Sequence, residues 1–160
     1  MSKNNMKTTF YIVSAAVVIG GLFAWPIIND KNRPIVSEWK KAGIACLGPG
    51  AKVAKHEHAD LTINVDGKQE SFDRDLGIAR GCMGEFHVHA GQPGVLHLET
   101  ISATKEFKLS DFALIYGKPF LREGYKIEVI LNGKSYEGDP AGLILDDQQV
   151  IELIYTSVGE

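Results

Sequence analysis

The first long apolar run, TTFYIVSAAVVIGGLFAWPIIN at residues 8–29, holds no charged side chain. At about 1.5 Å per residue, a helix of that length crosses a hydrocarbon core of roughly 30 Å. It predicts one N-terminal transmembrane helix, so that residues 1–29 form a cytoplasmic tip and a membrane anchor. Lys3 and Lys7 precede the run and no acidic residue does, which places the N-terminus in the cytoplasm. Trp25 stands where an interfacial aromatic anchor would. The rival reading is a cleaved signal peptide, but the run is long for one and no A-x-A site follows. On either reading the rest of the chain is expected in the periplasm or outside the cell.

Beyond the run the pattern changes. Residues 30–50 read as a stalk with a short helix, capped by Ser37 and ending near Leu47 before Gly48-Pro49. The folded domain is expected over residues 51–160. Leu61, Ile63 and Val65 alternate with Thr62 and Asn64, which predicts a half-buried strand, and Asp66-Gly67 predicts a hairpin turn after it. The device repeats: Ile127, Val129 and Leu131 alternate before Asn132-Gly133, and VDGKQESFD is a faint echo of LNGKSYEGD. Val95–Ile101 and Val150–Tyr155 are further predicted strands. In LSDFALIYG, Leu109, Phe112, Ala113 and Tyr116 fall at helical spacing and Gly117 is the stop. The predicted class is α+β, a small mainly antiparallel β-sheet with one helix on it. The tail GLILDDQQVIELIYTS resembles the final strand approach of β-grasp domains.

Composition changes this picture little. The chain has 160 residues and a net charge of −3, enough for one small domain and an appendage. No basic field argues for nucleic acid. The membrane is the one partner the sequence names, and nothing in it identifies a protein partner. The address bears on the cysteines, because thiols pair in oxidising compartments. Cys46 and Cys82 are expected as a disulfide closing a 36-residue loop. Such a loop contributes about 3–4 kcal/mol in the chain-entropy model.

The candidate chemistry lies in the histidines, all five of which fall between His56 and His97. KHEHAD carries His56 and His58, EFHVHAG carries His87 and His89, and VLHLE carries His97 with Glu99. Alternate residues of a strand share a face. His56 and His58 therefore oppose Leu61, Ile63 and Val65, while His87 and His89 oppose Phe86 and Val88. His97 and Glu99 oppose Leu96 and Leu98. If the aliphatic faces form one core, the five histidines and Glu99 share the other side of the sheet. Asp60 and Glu85 have the same parity and are expected to solvate the surface. Two imidazoles of a His-x-His pair can reach one ion with bonds of about 2.0–2.1 Å. Neutral imidazole suits a transition metal such as zinc or copper, whereas calcium and magnesium want more carboxylates. The candidate ligands, in order, are His87 and His89, then His58, His56, His97 and Glu99.

The stretch EFHVHAG resembles the copper-binding FHVH stretch of Cu,Zn superoxide dismutases, which implies His87 and His89 as copper ligands. Only His97 follows it, so that family's further downstream ligands have no counterpart. The pattern C…HxHxxLxIxxDGK…C-x4-HxH-x7-HxE, followed by the LSDF helix, is similar to a set of membrane-anchored bacterial and archaeal domains of unknown function. That resemblance spans about residues 46–155 and implies an anchored extracytoplasmic domain. No phosphate loop or serine nucleophile elbow is present. The leading expectation is a membrane-tethered domain that binds zinc or copper. Its alternatives are a metalloenzyme at the same site, either a zinc hydrolase or a copper redox enzyme, and a metal-free interaction module.

Overall fold

The structure, a computed structural model, describes residues 33–71, 73, 75–79 and 81–159. The predicted membrane anchor lies outside the described residues. Among those residues no helix is long and apolar enough to cross a membrane. They form a mainly β-sheet α+β domain with two short helices.

The strands are β1 (Cys46–Leu47), β2 (Lys55–Val65), β3 (Lys68–Glu70), β4 (Ile78–Ala79), β5 (Cys82–Gly84), β6 (Phe86–His87) and β7 (Val95–Thr100). After them come β8 (Phe107–Lys108), β9 (Tyr125–Leu131), β10 (Lys134–Ser135), β11 (Ile144–Leu145) and β12 (Gln149–Ser157). The helices are α1 (Arg33–Lys41) and α2 (Leu109–Tyr116). The main sheet runs in the order β10-β9-β12-β2-β7-β6, with β3 also paired to β2. All its pairs are antiparallel except β2 with β12, which run parallel at its centre. Two small sheets, β1-β5-β4 and β11-β8, flank it.

Both predicted hairpin turns form. Asp66 and Gly67 have φ of 47° and 76°, and Asn132 and Gly133 have 52° and 76°, the doubly positive pattern of a tight two-residue turn. The echo between them has a physical use. The Asn132 carboxamide oxygen accepts from Val150 N–H at 2.9 Å, and the Asp66 carboxylate accepts from Ser157 N–H at 2.8 Å. One turn thus clips each end of β12. In α2, the Asp111 carboxylate accepts from Lys108 N–H at 2.9 Å, as in a capping box. Gly117, at φ 70°, closes the helix through its N–H to Ala113 C=O. The buried stripe of α2 is Leu109, Phe112 and Ile115, so Ile115 takes the place expected of Ala113.

The folded unit starts well before residue 51. It runs from Ile35, and residues 35–50 of the segment expected to be a stalk are part of it. Trp39 and Ile44 are buried in the core and Val36 packs against them. The helix lies earlier than predicted, with Ser37 inside it and not at its cap. It stops at Gly43, φ 83°, where Ile44 N–H reaches Trp39 C=O and Gly43 N–H reaches Lys40 C=O. That is a Schellman ending, which presses Ile44 toward the last turn of the helix. The predicted Cys46–Cys82 disulfide is present and fastens this segment to β5. A disulfide belongs to an oxidising, extracytoplasmic setting.

One core forms on the aliphatic face of the sheet, with Leu61, Ile63, Phe86, Leu96, Leu98, Ile151 and Leu153 almost fully buried. Each such side chain contributes about 1.5–3 kcal/mol on leaving water. Gly77 holds the approach to β6 open: a Cβ there would stand 2.1 Å from the Phe86 carbonyl oxygen. Only glycine lets the turn before β4 lie against the strand that carries His87.

Candidate metal centre

The side of the sheet away from the core carries the histidines, as strand parity predicts. The pairing register decides which of them meet. His58 on β2 lies opposite His97 on β7, and His97 lies opposite His87 on β6. These three form a row across neighbouring strands, in which directly opposed side chains stand about 4.5–5.5 Å apart at their bases. The next row sets His56 opposite Glu99. His89 lies past the end of β6, where a turn closed by Gln92 N–H on His89 C=O folds it back.

The rings converge. His87 and His97 are stacked with centroids 5.1 Å apart, and His89 is 4.8 Å from His87 and 4.6 Å from His97. On the other side, His58 is 4.6 Å from both His97 and His56. Two triads result: His87, His89 and His97, and His56, His58 and His97. In each, one nitrogen from every ring lies within 4.8 Å of the others. A tetrahedral ion with bonds of about 2.05 Å needs those nitrogens about 3.3 Å apart. Binding one ion through all three rings therefore requires them to turn toward it.

The hydrogen bonds around the rings define which nitrogens are free. His87 is 1% exposed, and its Nδ1–H donates to the Gly84 carbonyl at 2.9 Å. A carbonyl only accepts, so the proton is on Nδ1 and the lone pair is on Nε2. That Nε2 is buried with no hydrogen-bond partner. Metal-binding histidines are arranged this way, with one nitrogen fixed by a backbone carbonyl and the other free for the ion. His97, 6% exposed, repeats the pattern with its nitrogens exchanged. Its Nε2 is 3.0 Å from the Gln92 side-chain oxygen, and its buried Nδ1 has no partner. Leaving a polar atom buried and unpaired costs about 1–3 kcal/mol. Here two such atoms lie on adjacent strands, on rings that belong to a set of three able to hold a metal ion.

Both rings resist protonation. Burial drives the His97 pKa from 6.5 down to about 4, helped by the charges His87, His58, His89 and His56 would carry. Burial likewise lowers that of His87, against opposing pulls from the Gly84 carbonyl and Glu99. His97 therefore stays neutral, with a lone pair available, through the mildly acidic range, and His87 takes up a proton less readily than a free imidazole.

Glu99 joins neither triad. Its carboxylate lies 3.2 Å from His56 Nε2, where it orients that ring rather than completing a set of three. Asp60 is exposed, as expected. Glu85 is not on the surface: it is 2% exposed, a correction to the parity reading. Its carboxylate accepts from Thr100 Oγ1 at 2.6 Å and Ala45 N–H at 2.8 Å, and pairs with Lys105. Burial pushes its pKa up, but those partners outweigh it and hold the carboxyl below its usual range. Parity gives a face; here the α1–β1 segment and the chain after β7 cover that face.

Three supporting groups escaped strand parity. Gly84 acts through its backbone, and Gln92 sits in a turn, where no alternation applies. The signal for Gln92 was the Pro93-Gly94 turn, which reverses the chain just before the strand bearing His97. The third is Asp147, whose carboxylate accepts from His58 N–H at 2.9 Å while Gln148 N–H reaches His58 C=O at 2.7 Å. Together they fix the backbone of His58. The chain matches no protein-family model, no curated protein and no solved structure.

Proposed function

We propose that this protein is a membrane-tethered, extracytoplasmic domain that binds a transition metal ion, zinc or copper, through its histidine cluster. The observation that carries the reading is the pair of buried, unpartnered nitrogens, His87 Nε2 and His97 Nδ1, on rings whose other nitrogens are already hydrogen-bonded. His89 completes the set of three. An all-imidazole set suits zinc and copper and leaves calcium and magnesium without the oxygens they require. Three histidines leave one tetrahedral position for water or an incoming ligand, which fits capture and delivery of the ion. The tether is the apolar run at residues 8–29, and the extracytoplasmic address agrees with the disulfide. The parallel centre of the sheet, with a hairpin on either side and a helix between, supports a β-grasp-like reading of the scaffold.

Metal analysis of the purified full-length chain, loaded with zinc or copper and dialysed, tests this. The expected result is about one equivalent, lost in the His87→Ala/His89→Ala double variant and weakened by acid because protons compete for imidazole. Retention below about a tenth of an equivalent of either metal at neutral pH would sink the proposal.

A further inference from the structure

The two triads are not two independent sites, because both need His97. A neutral imidazole has one lone pair, its other nitrogen carrying the hydrogen. In His97 the hydrogen is on Nε2, directed at the Gln92 side-chain oxygen, and the lone pair is on Nδ1. His97 can therefore complete one triad at a time. The triads also differ in access. His56 is exposed and His58 half-buried, while His87 is fully buried and His89 half-buried. The His97 ring stands midway, 4.6 Å from both His58 and His89.

We propose that His56 and His58 form an outer loading site that shares His97 with the inner triad, so that one ion is captured at the surface and handed inward. The proposal rests on the reading of the inner triad as the resident metal site. An ion arriving from solvent meets His56 and His58 first and gains His97 as its third ligand. It then exchanges those two outer imidazoles for His87 and His89, without being released to water. Glu99, whose carboxylate lies 3.2 Å from His56 Nε2, adds negative charge beside the outer ring that attracts a cation. The sharing sets the stoichiometry at one ion, although five histidines line the face.

The test uses the full-length chain with zinc alone, following equilibrium binding against a competing chelator and the rate of uptake after rapid mixing. The wild-type chain is expected to bind one equivalent. The His56→Gln/His58→Gln variant should bind one equivalent with the same affinity but load about tenfold more slowly. The His87→Gln/His89→Gln variant should load as fast as wild type but hold zinc more weakly. Circular dichroism and the equilibrium value show whether each variant is folded, and the single variant His56→Gln, at an exposed position, serves if the double variant is not. Two tight equivalents in the wild type would overturn the shared-ligand proposal while leaving the inner site standing. So would an unchanged loading rate in the outer variants. Failure of the wild type to bind zinc at all would overturn the inner site as well, and is distinguished by the stoichiometry itself.

Discussion

Two polar clusters are buried in this domain, and they are built on opposite plans. Around Glu85 the available hydrogen-bonding capacity is used: Thr100, the Ala45 amide and Lys105 converge on one carboxylate. Around His97, a few residues away on β7, the rings are held at one nitrogen and left bare at the other. A satisfied network stabilises what is already there. An unsatisfied one, kept open by the same sheet, costs stability that a bound group would return. The contrast separates a cluster whose polar atoms are already satisfied from one with nitrogens to spare.

The sharpest way to break the contrast is at Glu85. Replacing it with alanine strands Lys105 and leaves the Ala45 amide and Thr100 hydroxyl without their acceptor. Denaturant unfolding should show a loss of about 2–4 kcal/mol, mostly from the Thr100 hydroxyl and Ala45 amide left without an acceptor, since Lys105 still reaches water. A loss below about 1 kcal/mol would place the cluster among ordinary surface pairs.

The histidine cluster should respond in the reverse sense, gaining stability from a ligand. With free zinc at a hundred times its dissociation constant, the unfolding free energy should rise by about 2.7 kcal/mol. The gain should shrink sharply in His87→Ala/His89→Ala and persist in a Lys105→Ala variant that still folds. Stabilisation of equal size in the histidine variant would mean that zinc binds elsewhere.

Acid should separate the clusters by pH window. The folded-state pKa values of His87 and His97 lie below the ordinary 6.5, so the unfolded chain takes up protons first. Stability of the metal-free protein should therefore fall as pH drops from about 6.5 to about 4, the folded value for His97. Glu85, with its pKa below the ordinary 4.5, contributes stability that is intact above that value and lost only below it. Removing His87 and His97 should flatten the upper part of the profile and leave the lower part. A profile that keeps its slope between pH 6.5 and 4.5 in that variant would assign the loss to other groups.

How much of this was legible beforehand follows the range of the interaction. Asp66-Gly67, Asn132-Gly133 and Gly117 were readable because a turn or helix stop is set by the φ that one or two residues adopt. The end of α1 was misread because Gly48-Pro49 looked like the stronger stop. Gly43 had already ended the helix, and the burial of Trp39 and Ile44 was not visible from local pattern. Glu85 was misread for a related reason: what covers a strand face comes from distant parts of the chain, here Ala45 and Lys105.

The sequence by itself determined that His56 and His58 oppose the aliphatic positions of their strand, and that His87 and His97 do so on theirs, because side-chain alternation is a property of each strand alone. It also determined that Cys46 and Cys82 had only each other as partners. Only the tertiary structure decided that His58, His97 and His87 fall in one row, and that His97 stands between two pairs of histidines. Strand order and register are choices among distant segments, and a slip of one residue would have turned every ring to the other face. The hydrogen bonds that free Nε2 of His87 and Nδ1 of His97 come from a backbone carbonyl and a turn glutamine. Neither has a pattern along the chain, and both take their meaning from what the fold brings beside them.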